Sequence, residues 1–136
     1  MANITKLENN CNYKIYMDRL EDSLYLGFYI ESINLEYTII ENRLKTVLKH
    51  FNGYNKNLHS KKLINELKTM NKLQNSVSKE YISNNLLEVI DNWITQKNKI
   101  LHNFMNNCFN FEEIKEMAII GQEIVKVLNN KIVFHK

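Results

Sequence analysis

Lys97, Asn98 and His102 are the residues of this chain whose types and spacing could do chemistry. They lie in the stretch LLEVIDNWITQKNKILHNFMNN, residues 86–107. At ~100° per residue on a helix, Leu86, Ile90, Trp93, Ile94, Ile100, Leu101 and Phe104 share one apolar arc, with Lys97 near its middle. An ammonium aimed into an apolar stripe must snorkel, find a partner or serve a purpose, because an uncompensated buried charge is costly or loses its proton. Asn98 and His102, spaced i and i+4, share the polar edge of that arc. An imidazole exchanges protons near neutral pH, a lysine holds or neutralises an anionic oxygen, and an amide orients it. Phosphodiester cleavage needs those parts when the attacking group is the substrate's own 2′-hydroxyl, which requires neither a metal nor a protein nucleophile. On this reading His102 is the acid/base, Lys97 the phosphate-binding cation and Asn98 the orienting group. The structural alternative leaves Asn98 and His102 as edge residues while Lys97 snorkels past Trp93.

Helices must position these groups. From Tyr13 to Ile30 apolar residues recur at intervals of three and four, and Ile33 to Phe51 continue the pattern. Gly27 and residues 32–34 are the soft points between them, which leaves open one bent helix or two with a tight joint. Gly53 is placed to stop the second helix. Ser60 is expected to cap the next helix, with Leu63, Ile64, Leu67, Met70 and Leu73 as its stripe. Ser76 or Ser78 is expected to begin the helix that carries Lys97. Asn110 with Glu113 forms a capping box for a last helix that buries Ile114, Met117, Ala118, Ile120, Ile124, Val125 and Leu128. The prediction is an all-α, antiparallel bundle of four to five helices, with residues 1–11 frayed and 129–136 a short tail.

Composition agrees with that class. The 136 residues fit one domain, 1–136. There is no proline and only three glycines, so the frequent tight turns of an all-β protein are not encoded. The net charge of +3 permits nucleic acid without arguing for it. No apolar run approaches the ~20 residues of a membrane span, and MANITKLENN lacks a signal pattern. The expectation is a cytoplasmic protein with no membrane partner.

Other chemistry is sparse. The sequence holds no Gly-rich phosphate loop, HExxH or GxSxG motif, nor the Glu-x-x-His repeat of a carboxylate metal site. Cys11 and Cys108 have neither CxxC spacing nor a nearby histidine, so no metal and no cofactor is expected. His50, His59 and His135 read as surface side chains. Arg43 and His50 share a helical face, but they end at the Gly53 turn and lack an asparagine directly after the arginine, where Leu44 stands. Arg43, Lys45 and Lys49 are instead expected to give phosphate or dimer contacts, and Lys99 a further phosphate contact.

The stretch DNWITQKNKILHNF resembles the signature helix of the HEPN superfamily, whose motif is Arg, four to six residues, then His, commonly Arg-Asn-x-x-x-His after an aromatic or aliphatic lead-in. Here it stands as Trp93, then Lys97-Asn98-Lys99-Ile100-Leu101-His102. The upstream YTIIENRLKTVLKHF, with Glu41 and Lys45 at i and i+4, is similar to the second helix of many such domains. The resemblance implies a homodimer that brings two copies of the Lys97 helix together. It also implies, in active members, a metal-independent endoribonuclease cleft that serves toxin–antitoxin or phage-defence systems, with an RNA substrate and an antitoxin or operon partner. Lys97 stands where the pattern has arginine, and a point charge replaces a two-pronged phosphate grip. Phe104 stands where some members carry a modifiable tyrosine. The superfamily also includes silent bundles that act as binding or regulatory modules, which is the alternative function. A further alternative is an unrelated helical adaptor.

Overall fold

A computed structural model of the chain describes residues 11–52, 58–72, 81–106 and 110–133. Among them are five helices and no strand: α1 Cys11–Leu26, α2 Tyr29–Asn52, α3 Ser60–Lys72, α4 Asn84–Met105 and α5 Phe111–Val133. The chain is therefore all-α, and the helices assemble as a bundle around α2, which packs against α1, α3 and α5. Among the described residues no helix is long and apolar enough to cross a membrane.

The first two helices are separate, and the joint follows from one glycine. Gly27 takes φ 78°, a left-handed conformation that costs a residue with a Cβ. Its N–H donates to the Leu24 carbonyl at 3.3 Å and the Phe28 N–H to the Ser23 carbonyl at 2.8 Å. This pair of bonds closes a helix by the Schellman pattern. Phe28 then opens α2 by accepting from the Ser32 N–H at 3.0 Å. The buried hydroxyls of Ser23 and Ser32 meet at 2.8 Å across the joint. Residues 32–34, the other predicted soft point, are helical.

Three helix boundaries differ from the sequence reading. His59 takes the cap position of α3, its carbonyl accepting from the Leu63 N–H at 2.9 Å. Ser60 is thereby drawn into the first turn and its hydroxyl turned inward to Tyr37. α4 starts after Ser83, whose side chain accepts from the Leu86 N–H at 3.1 Å, while Ser76, Ser78 and the Gly53 stop lie outside the described residues. α5 continues through Val133, so residues 129–133 are helix instead of tail. Its N-terminus matches expectation on one side of the capping box: Asn110 Oδ1 accepts from the N–H groups of Glu112 and Glu113 at 2.9 and 3.3 Å.

Side-chain contacts fix the directions. Tyr13 of α1 reaches Arg43 of α2 and Asn129 of α5, while Arg19, midway along α1, reaches Glu31 at the start of α2, so α1 and α2 are antiparallel. Lys61–Asp91 and Lys68–Glu88 make α3 and α4 antiparallel. Tyr29 meets Phe111 and Glu36 meets Gly121, so α2 and α5 run in the same direction. The core they enclose is aliphatic, with Trp93 as its largest aromatic; burying each large side chain contributes roughly 1.5–3 kcal/mol. Ile120 is the exception on α5: it is exposed. The contact line runs instead through Ile114, Met117, Ala118, Gly121, Ile124, Val125 and Leu128, all of them buried.

Candidate functional site around Lys97 and Tyr37

α4 buries Leu87, Ile90, Trp93, Ile94, Lys97 and Ile100. Lys97 is therefore in the middle of an apolar stripe, as its spacing predicts, and only 9% exposed. Its ammonium is received by α2: Nζ lies 3.6 Å from the centre of the Tyr37 ring. A cation over an aromatic face gains ~1–2 kcal/mol when desolvated. Tyr37 in turn donates its hydroxyl to Glu41 Oε2 at 3.1 Å and shares a 3.2 Å hydrogen bond with the Ser60 hydroxyl. Glu41 continues the chain to Lys45, 3.6 Å away. A mixed-charge string thus links α4, α2 and α3. Burial pushes the Lys97 ammonium below its ordinary range, with Glu41 pulling it partly back. Burial likewise raises the Tyr37 phenol, aided by Glu41 and opposed by Ser60.

The groups expected to act with Lys97 face elsewhere. Asn98, Lys99 and His102 are exposed. Lys97 and His102, five residues apart, are separated by ~140° around the helix. Within one protomer the lysine and the imidazole do not converge on one point. His102 Nε2 is instead 3.1 Å from Asn106 Nδ2, one turn on. Leu86 and Leu101 are half-buried and Phe104 is exposed, so the buried arc is narrower than predicted at its edges, while Lys97 keeps its expected place in the middle.

Arg43 is the clearest correction. It has no exposed surface, and its guanidinium stacks 3.8 Å from the centre of the Tyr13 ring, so it is a core side chain that meets no phosphate on the surface. Lys45 is partly exposed and paired with Glu41. His50, the other half of the Arg43 pair, sits edge-on to Phe51 with ring centres 4.8 Å apart. The Arg43–His50 pair therefore joins a buried cation to an imidazole engaged by its own neighbour. Among the described residues no group of three or more His, Cys, Asp or Glu could hold a metal ion.

The polar residue missed by sequence reading is Glu36. It is fully buried, neither carboxyl oxygen has a hydrogen-bond partner, and burial pushes its carboxyl up to about 9. At neutral pH it is a neutral acid in an apolar seam, since an isolated carboxylate there would be uncompensated. A signal for it exists in the sequence: Ile33, Glu36, Ile40, Arg43 and Val47 step by three and four along one line of α2, so both charged members fall on the buried face. Gly121 explains how α5 approaches so closely. A Cβ there would lie 2.1 Å from Glu36 Oε1 and 2.7 Å from Trp93 Cζ2. Trp93 is fixed in turn by its indole N–H donating to the Met117 carbonyl at 3.0 Å.

Fold and site define a helical bundle whose α4 carries an inward lysine and an outward Asn–His edge. Compared with family models, curated proteins and solved structures, the chain finds no match.

Proposed function

We propose that this chain is a HEPN-like bundle acting as a binding or regulatory module, directed to RNA through the exposed edge of α4 and without ribonuclease activity of its own. The observation that carries this reading is the seat of Lys97. Its ammonium lies on Tyr37 inside the bundle, turned away from His102 and unable to grip a phosphate without leaving that seat. A cation that stabilises charge developing in a transition state must be preorganised toward the reacting oxygens, and this one is preorganised toward a tyrosine ring. Asn98, Lys99 and His102 remain available for contacts with RNA phosphate or sugar, which position a ligand without cleaving it.

A second reading is favoured by one observation, the exposure of His102 and Asn98 on a common edge. In it the chain is a metal-independent endoribonuclease of a toxin–antitoxin or phage-defence system, its cleft completed by a second protomer across α4. The deciding experiment incubates the purified protein with single-stranded and hairpin RNA in EDTA, beside His102→Ala and Lys97→Arg. The binding module gives no cleavage in any of the three, and RNA affinity that falls several-fold in His102→Ala with the helical circular-dichroism signal intact. Cleavage by the wild type that disappears in His102→Ala would overturn the silent reading, and cleavage gained only in Lys97→Arg would mark a weakened enzyme.

A further inference from the structure

One end of the bundle exposes apolar side chains that the Lys97 cluster does not use. Three segments meet there: the α1–α2 joint, the last turn of α4 and the first turn of α5. They line a cleft of about 300 Å³ in which Gly27, Phe28, Tyr29 and Ile30 face Phe104, Phe111 and Ile114. The turns that supply the lining carry further exposed apolar side chains. Tyr25 is 89% exposed, Met105 80%, Leu26 59%, Phe28 57% and Phe111 55%. With ~200 Å² for each large side chain, this end leaves on the order of 600 Å² of apolar surface in solvent, at the upper limit of what monomeric proteins usually show. That area approaches the ~800 Å² per partner of a standard interface.

Charge says what kind of partner covers it. The chain carries 18 lysines and arginines and is +3 overall, yet residues 20–31, 100–106 and 110–114, which build this end, contain neither type. They contain Glu21, Asp22, Glu31, Glu112 and Glu113. At the border Arg19 is already bonded to Glu31 at 2.9 Å, and Lys115, just beyond the last stretch, is half-buried. An apolar cleft with Glu31 in its lining, flanked in the chain by segments whose acidic residues have no lysine or arginine among them, is complementary, on an otherwise basic protein, to an apolar, positively charged ligand. Its form matches helix-in-groove recognition, in which large side chains spaced by three and four enter a cleft while the flanks meet the rim. A second copy is disfavoured by the same charges, because a two-fold axis through this patch sets these acidic residues against their copies.

We propose that the end of the bundle formed by the α1–α2 joint, the α4 C-terminus and the α5 N-terminus docks a lysine- or arginine-rich amphipathic helix of a partner protein. The cleft lining does not include Lys97, Tyr37 or His102, and the proposal does not rest on RNA meeting α4. The probe is a fluorescein-labelled peptide of about 18 residues, leucine and phenylalanine on one face and lysine on the other, with a counterpart whose lysines are all glutamate. Fluorescence anisotropy on the full chain should give micromolar affinity for the lysine peptide. It should be at least about tenfold weaker for the glutamate peptide, and weakened by about tenfold in Phe28→Ser/Phe111→Ser. Asp22→Asn/Glu112→Gln should weaken it several-fold and flatten its salt dependence, while Lys62→Gln, an exposed position on α3, leaves it unchanged. All these side chains are exposed, so circular dichroism should be identical among the variants. Equal binding of both peptides, or binding indifferent to Phe28 and Phe111, overturns the proposal. So does a wild-type dimer in sedimentation that Phe28→Ser/Met105→Ser dissolves, since that gives the face to a second copy.

Discussion

Replacing Glu36 by glutamine should remove a pH dependence from the stability of the whole domain. In the folded protein the Glu36 carboxyl is pushed from its ordinary 4.5 up to about 9 by burial, whereas in the unfolded chain it titrates near the ordinary value. Between those values the folded state holds one proton that the unfolded state has released. Stability therefore falls as pH rises, by about 1.4 kcal/mol per pH unit from this group alone. The Glu36 contribution is fully present below the unfolded value and is lost progressively toward the folded one. From the unfolded value to pH 7, the loss is on the order of 3 kcal/mol, a large fraction of the ~5–15 kcal/mol that holds a typical domain together. Glutamine keeps the shape and carries no titrating proton. Its amide adds a constant desolvation cost that shifts every point equally and leaves the slope untouched. Urea unfolding followed by circular dichroism at pH 5, 6, 7 and 8 should therefore show wild-type stability declining relative to Glu36→Gln by about 1.3 kcal/mol per unit. Contributions common to both proteins, including those of Lys97 and Tyr37, cancel in the difference. Parallel stability curves across this range would refute the reasoning, because they would mean that Glu36 is ionised in the fold or accessible to water.

Two backbone positions give further tests, both read by thermal melting. Gly121→Ala should destabilise the domain by about 1–3 kcal/mol, although alanine is the better helix former by ~1 kcal/mol: the added carbon meets Glu36 and the rigid Trp93 ring. A raised melting temperature would show that α5 can back away from α2. Gly27→Ala should cost roughly 1 kcal/mol, because φ 78° is left-handed and the nearest side-chain atom, on Tyr29, is 4.0 Å away, leaving conformation as the only penalty. An unchanged melting temperature would mean that the joint relaxes to a right-handed turn.

Local sequence determined the elements of this protein. The absence of proline, the apolar residues at intervals of three and four, and single residues such as Gly27 and Asn110 specify helices and their ends through backbone geometry and nearest-neighbour hydrogen bonds. Lys97 was legible in the same way, since the angle per residue alone places it in the middle of the α4 stripe. Its destination was not. Whether that ammonium faces a second protomer, solvent or a ring in its own chain depends on which residue α2 presents opposite it, and Tyr37 lies 60 residues away in sequence. The same holds for Arg43, whose spacing puts it on the inner line of α2 but whose partner is settled only when α1 lays Tyr13 across it. It holds for Glu36, whose neutral carboxyl exists because α5 comes close enough at Gly121 to exclude water. Periodicity assigns a residue to a face; only packing decides what that face meets, and burial by distant elements sets the charge, the partner and the chemistry of the side chain.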